Sequence, residues 1–207
     1  DERVREEYWK GNYWRGNVWG PTNYITYLAI RNAGWADVAA EFSGKSRRLF
    51  MTDWLARHHA CENYPPEGAT TRTHLFAGNG GRDPHYIWGA LLAVISLEEL
   101  FSVDDVTDGL RFGTTQAQSF GDWRGFIYRG VRGEIAVNAG GLQLSLPGVL
   151  EVKANQPVAM RAFVIEGNTA RFHYDALQTV SIEITAPGFH KETKLQSGTD
   201  RAIQTQA

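Results

Sequence analysis

The chain has 207 residues, a formal net charge of −2 and 43% hydrophobic residues, which suits one large domain or two small ones with a sizeable core. Basic and acidic residues are interspersed, so no basic stripe argues for nucleic acid and no polybasic cluster for a membrane surface. The longest apolar run, Ile87 to Leu97, is broken by Gly89 and Ser96 and is far shorter than the ~20 residues a membrane-spanning helix needs.

The single cysteine, Cys61, excludes an internal disulfide framework. Aromatic content is the compositional outlier, with seven Trp, eight Tyr and ten Phe. Eight of these residues, Tyr8, Trp9, Tyr13, Trp14, Trp19, Tyr24, Tyr27 and Trp35, crowd into the N-terminal segment. Asp1 to Glu7 is charged and helix-like, with neither an initiator Met nor a signal-like apolar region, which predicts a C-terminal piece of a longer protein.

The stretch Tyr13-Trp14-Arg15-Gly16-Asn17-Val18-Trp19-Gly20-Pro21-Thr22-Asn23-Tyr24 interleaves aromatics with polar groups that are costly to bury unpaired. That is the composition of a wall meeting a polar, ring-shaped ligand, and equally of an aromatic corner entering a buried helix. Pro21 is placed to open that helix. Thr22 to Ala33 carries Tyr24, Tyr27, Leu28 and Arg31 at three-and-four spacing, and Gly34 sits where a left-handed cap is favoured. A second helical pattern runs from Trp35 through Phe42, Leu49 and Trp54 towards His58, with a break or bend expected at Gly44.

Ala60 to Pro84 holds Pro65-Pro66-Glu67-Gly68 and Gly78-Asn79-Gly80-Gly81, so it reads as a long loop, a feature that is usually functional. A third helix, expected over His85 to Phe101, is apolar on most faces. Beyond Val103 the period changes to two. Strands are expected around Glu134–Val137, Leu142–Leu146, Val158–Val164, Ala170–Tyr174 and Val180–Ile184. Turn signals separate them at Gly140-Gly141, Pro147-Gly148, Gly167-Asn168 and Pro187-Gly188. The expected β half is an antiparallel sheet or sandwich with one dry face, ending in a frayed tail from about Gly198.

The loop supplies Glu62, Glu67, His74 and Asp83 as candidate chemistry. Glu62 lies between Cys61 and Asn63-Tyr64, an amide and an aromatic able to orient it, whereas Glu67 reads as a surface residue at a turn. His58, His59 and Cys61 have no second ligand cluster at suitable spacing, so no metal site and no cofactor is expected. Arg15 could hold a carboxylate ionised or pair with Glu6 or Glu7. No G-x-S-x-G elbow, P-loop or G-x-G-x-x-G occurs in a strand–turn–helix context.

Three motifs carry a family resemblance: Tyr13-Trp14-Arg15-Gly16-Asn17-Val18-Trp19 followed by Asn23-Tyr24, then Glu62-Asn63-Tyr64-Pro65-Pro66-Glu67-Gly68, then Tyr86-Ile87-Trp88-Gly89. In this order they resemble the C-terminal part of the (α/α)6-barrel glycosidases, above all glycoside hydrolase family 63, related to the trehalases. Asn17 stands where the family has Pro, and Trp88 precedes its glycine where the family's follows. The resemblance covers about residues 8 to 101.

It implies an α+β chain: residues 1–104 as the C-terminal helices of an (α/α)6 barrel, and 105–207 as an antiparallel β accessory domain. It further implies inverting hydrolysis of a terminal α-linked sugar on an oligosaccharide or glycoside substrate. Glu62 would be the general base, with Trp14, Arg15, Trp19, Asn23, Tyr64 and Trp88 lining the glycone pocket. The family's general acid lies upstream of the first motif, where this chain offers only Asp1. About twelve helices of ~11–12 residues exceed what 104 residues supply, so the resemblance requires the N-terminal part of the same barrel from another segment or chain. The alternatives are an α/α-toroid polysaccharide lyase recruiting Asn23, His74, His85 and Tyr86, or a carbohydrate-binding piece without catalysis.

Overall fold

The structure is a computed structural model that describes residues 17–64, 85–104 and 107–207. The chain divides into two compact units, Asp1–Ser96 and Leu97–Ala207.

In the first unit, strand β1 (Val18–Trp19) leads directly into helix α1 (Gly20–Asn32). Pro21 opens the helix as the sequence suggests. The Thr22 hydroxyl and the Asn23 amide both donate to the Trp19 carbonyl, at 3.0 and 2.9 Å. Gly34, at φ +77°, turns the chain out of the helix.

Helix α2 (Ala36–Arg57) runs unbroken through Gly44, where a bend was expected. Ala39, Ala40, Ser43, Gly44 and Ser46 are all buried, so small side chains there permit a close neighbour. It ends at His58 in the left-handed conformation. Strand β2 (Asn63–Tyr64) pairs antiparallel with β1, Val18 opposite Tyr64 and Trp19 opposite Asn63. A 3-10 turn (Ile87–Ala90) precedes helix α3 (Leu91–Leu100), which is shorter than the helix read from the sequence.

The chain is not the C-terminal part of an (α/α)6 barrel. Strands hold 47% and helices 31% of the structure, with three α-helices among the described residues. The resemblance to glycoside hydrolase family 63 falls with the barrel, and the toroid lyase alternative loses its architecture too. The physical reason is local. Aromatics, glycines and a helix-opening proline specify a corner and a helix start, and that chemistry does not dictate what surrounds the corner. The chain leaving α3 passes straight into strand β3 (Phe101–Val103), and among the described residues no further α-helix follows to form a ring.

The second unit is antiparallel throughout. Its strands are β3, β4 (Leu110–Phe112), β5 (Gly121–Tyr128), β6 (Val131–Asn138), β7 (Gly141–Leu146), β8 (Leu150–Ala154), β9 (Val158–Glu166), β10 (Thr169–Ala176), β11 (Val180–Ala186), β12 (Phe189–Leu195) and β13 (Gly198–Gln206). One sheet has the order β12-β11-β8-β7-β6-β5 and the other β13-β10-β9-β4-β3.

Alternating apolar residues from both sheets, among them Ile135, Leu144, Val152 and Ile184 from one and Phe112, Met160 and Phe172 from the other, share a single core. The β5–β6 hairpin turns on Arg129-Gly130, both at positive φ, as a two-residue hairpin of primed type requires. The segment expected to fray is edge strand β13, whose backbone pairs with β10 while most of its side chains stay exposed. Its polar composition reflects an edge position, where backbone pairing suffices.

Candidate functional site

The β1–β2 pairing brings two of the three sequence motifs together. Register places Trp19 beside Asn63 and Val18 beside Tyr64, so Glu62 lies one residue beyond the ladder, next to the start of α1. The third motif closes on both. A Cβ on Gly20 would overlap the Trp88 carbonyl oxygen, and one on Gly89 would overlap the Cys61 carbonyl oxygen. Glycine at 20 and 89 therefore lets three backbones meet.

Further ties hold the third segment: an Ala60–His85 bridge, a 2.9 Å bond from the Tyr86 N–H to the Ala60 carbonyl, and an edge contact between His59 and His85 at 5.5 Å.

The interior of this corner is mostly structural. Trp19 is 2% exposed and Tyr64 fully buried, so neither ring shows a face to solvent. The Tyr64 hydroxyl accepts the Cys61 N–H at 3.2 Å. Burial pushes its phenol well above the usual value, and the nearby Cys61 and Asp53 add to the rise. Tyr64 is thus a neutral hydrogen-bonding post. The Asn23 amide is committed to the Trp19 carbonyl. Trp14 and Arg15 lie outside the described residues.

Two of the predicted residues remain open for chemistry. Glu62 is half-buried and has no hydrogen bond or ion pair among the described residues. Trp88 is 37% exposed, its ring propped edge-on by Tyr86 at 4.9 Å.

The sequence reading missed Asp53. The residue is 3% exposed, and its carboxylate pairs with Arg57 at 2.8 Å and accepts the Cys61 thiol at 3.6 Å. A buried charge of this kind is tolerated only when paired and hydrogen-bonded, and here it anchors Cys61 and with it the start of β2. The i, i+4 spacing of Asp53 and Arg57 was the one available signal. Asn63 is buried with its Oδ1 lacking any partner, as is the Ser43 hydroxyl. Among the described residues, His58, His59 and Cys61 form no group compact enough to hold a metal ion.

Comparisons with family models, curated proteins and solved structures each returned no match. The site is therefore read from its own geometry.

Proposed function

We propose that the first unit acts on a glycoside, with Glu62 as the general base that activates water and Trp88 as a platform for an apolar sugar face. The observation that carries this reading is the convergence of Trp19–Gly20, Cys61–Tyr64 and Trp88–Gly89. Two of these three meeting segments carry an unpaired, half-buried carboxylate, Glu62, and an exposed tryptophan, Trp88.

A carboxylate without a competing cation is free to take a proton from water, and a water-activating base displaces the leaving group with inversion. The second carboxyl such a reaction needs is not Asp53, which is committed to Arg57 and Cys61. The acid is supplied by a segment outside the described residues or by another chain. Trp14 and Arg15 belong to the same proposal as further walls of the pocket.

The exposed Trp88 ring supports a second reading equally, in which the corner binds sugar without cleaving it. Glu62→Gln distinguishes the two. Under the hydrolase reading, turnover of a responsive α-linked glycoside falls about 10²–10⁴-fold while binding persists. Turnover equal to wild type removes Glu62 from the chemistry. Sugar binding by a protein that releases no product supports the non-catalytic reading.

A further inference from the structure

The outer face of the six-stranded sheet carries a group of side chains that the functional reading above does not use. Strands β11 and β12 pair so that Glu183 stands opposite Glu192 and Thr185 opposite His190. These four share the solvent face, because the intervening Ile182, Ile184 and Phe189 are in the core.

One donor atom from each of Glu183, His190 and Glu192 lies within 4.8 Å of the others. The Thr185 hydroxyl stands 3.1 Å from Nδ1 of His190; with that nitrogen engaged, Nε2 would be the ligating atom. Like charges directly opposite across an antiparallel pair destabilise it. Among the described residues, the Lys153 ammonium, 3.9 Å from Glu183, is the ion-pair partner of one of the two glutamates. Beside the group is a hollow of about 520 Å³ lined by Lys153, Asn155, Ser181, Lys194 and both glutamates.

We propose that His190, Glu183 and Glu192 bind a zinc-class divalent ion on this face, with its fourth position open to the hollow. Imidazole and carboxylate donors at ~2.0–2.2 Å suit tetrahedral zinc, and three protein ligands with one open position are the pattern of reactive rather than structural sites. The imidazole selects against magnesium and calcium, which prefer oxygen. Lys153 and Lys194 line the hollow beside these ligands, so the ligand class the open position would take is a small anion such as a carboxylate or phosphate.

The test is calorimetric titration of the whole chain with zinc chloride, alongside thermal unfolding with and without the ion. One zinc should bind per chain and raise the Tm, and magnesium chloride at equal concentration should not. His190→Ala should weaken zinc binding at least tenfold. Glu192→Gln separates ligation from a merely structural role: it should raise the Tm without zinc, by removing the opposed charge, and abolish the zinc-dependent rise. Absence of saturable zinc binding overturns the proposal, as does binding that both variants leave unchanged.

Discussion

In the β unit, buried apolar side chains from two sheets form one continuous core, and the buried charge is matched: Asp175 receives Arg161 and the Asp200 N–H. The helical unit is built the other way. Its apolar cluster is small, centred on Tyr27, Phe50, Tyr64, Leu92 and Ile95. It buries Ser43, Ser46, Asp53 and Asn63, and two of these leave a polar atom unpaired. It also exposes Ile25, Trp35, Leu55, Ile87 and Trp88, where the β unit exposes Ile127 and Leu177. Native interiors pair nearly all buried polar groups, so unpaired ones mark places shaped by something other than stability. The contrast supports the proposal that the glycoside meets the helical unit.

The largest expected effect tests whether the β core stands by itself. Leu144 is fully buried in β7, and Leu144→Ala should cost about 2–5 kcal/mol. Hydrogen exchange should show the loss in the β strands alone. Equal loss of protection in α1 and α2 would make the two regions one cooperative body and end the comparison.

Next comes Gly89→Ala. The new methyl would meet backbone, the Cys61 carbonyl, which cannot yield as a side chain can. A cost of about 1–3 kcal/mol follows, seen as a changed tryptophan emission from the helical unit with the β strands' exchange unaltered. An unperturbed variant would mean that the three segments do not meet as closely as described.

A third pair of substitutions should differ in sign. Ser43→Ala removes a buried hydroxyl with no partner, so chemical denaturation should show stability unchanged or raised by up to about 1 kcal/mol. Ser145→Ala removes a hydroxyl that donates to Glu151 at 2.8 Å and should cost about 0.5–1.5 kcal/mol. Equal losses at both positions would remove the distinction between unpaired and paired polar groups.

The smallest effect concerns acid. The hydrogen bond from His173, helped by Arg161, holds the Asp200 carboxyl below its ordinary value near 3.8. A depressed carboxylate contributes stability that is complete above its unfolded value and is lost as pH falls through the folded one. The unfolding midpoint should therefore decline below about pH 3.8, and Asp200→Asn should flatten part of that decline. The same slope in both proteins would remove Asp200 from the β unit's paired set.

Much of the local structure was legible. Pro21 and Gly34 bracket α1 as their backbone preferences dictate, and the period-two segments from Glu134 onward became strands. The larger architecture was not. The described residues carrying the family resemblance encode a corner and two close backbone approaches, at Gly20 and Gly89, which are local properties. They cannot report that the chain after Leu100 enters a sheet.

Strand β13 was missed because an edge strand needs no apolar alternation, and β3 and β4 because three residues give no period to read. Within the candidate site, the convergence of Trp19, Glu62 and Trp88 could be suspected from motif order. The burial of Trp19 and Tyr64 could not, since an aromatic residue serves a wall and a core equally well. Glu183 and Glu192 were invisible as a pair because their proximity is a product of register.

The central claim is that the helical unit meets the ligand at the junction of its three segments. Hydrogen exchange of the whole chain, with and without saturating terminal α-linked glycosides, tests it most directly. The account predicts protection concentrated in residues 17–20, 60–64 and 86–89, retained in Glu62→Gln. Protection confined instead to the β hairpin ends, where Tyr128, Arg129, Glu166 and Arg171 line a hollow of about 600 Å³, would contradict it.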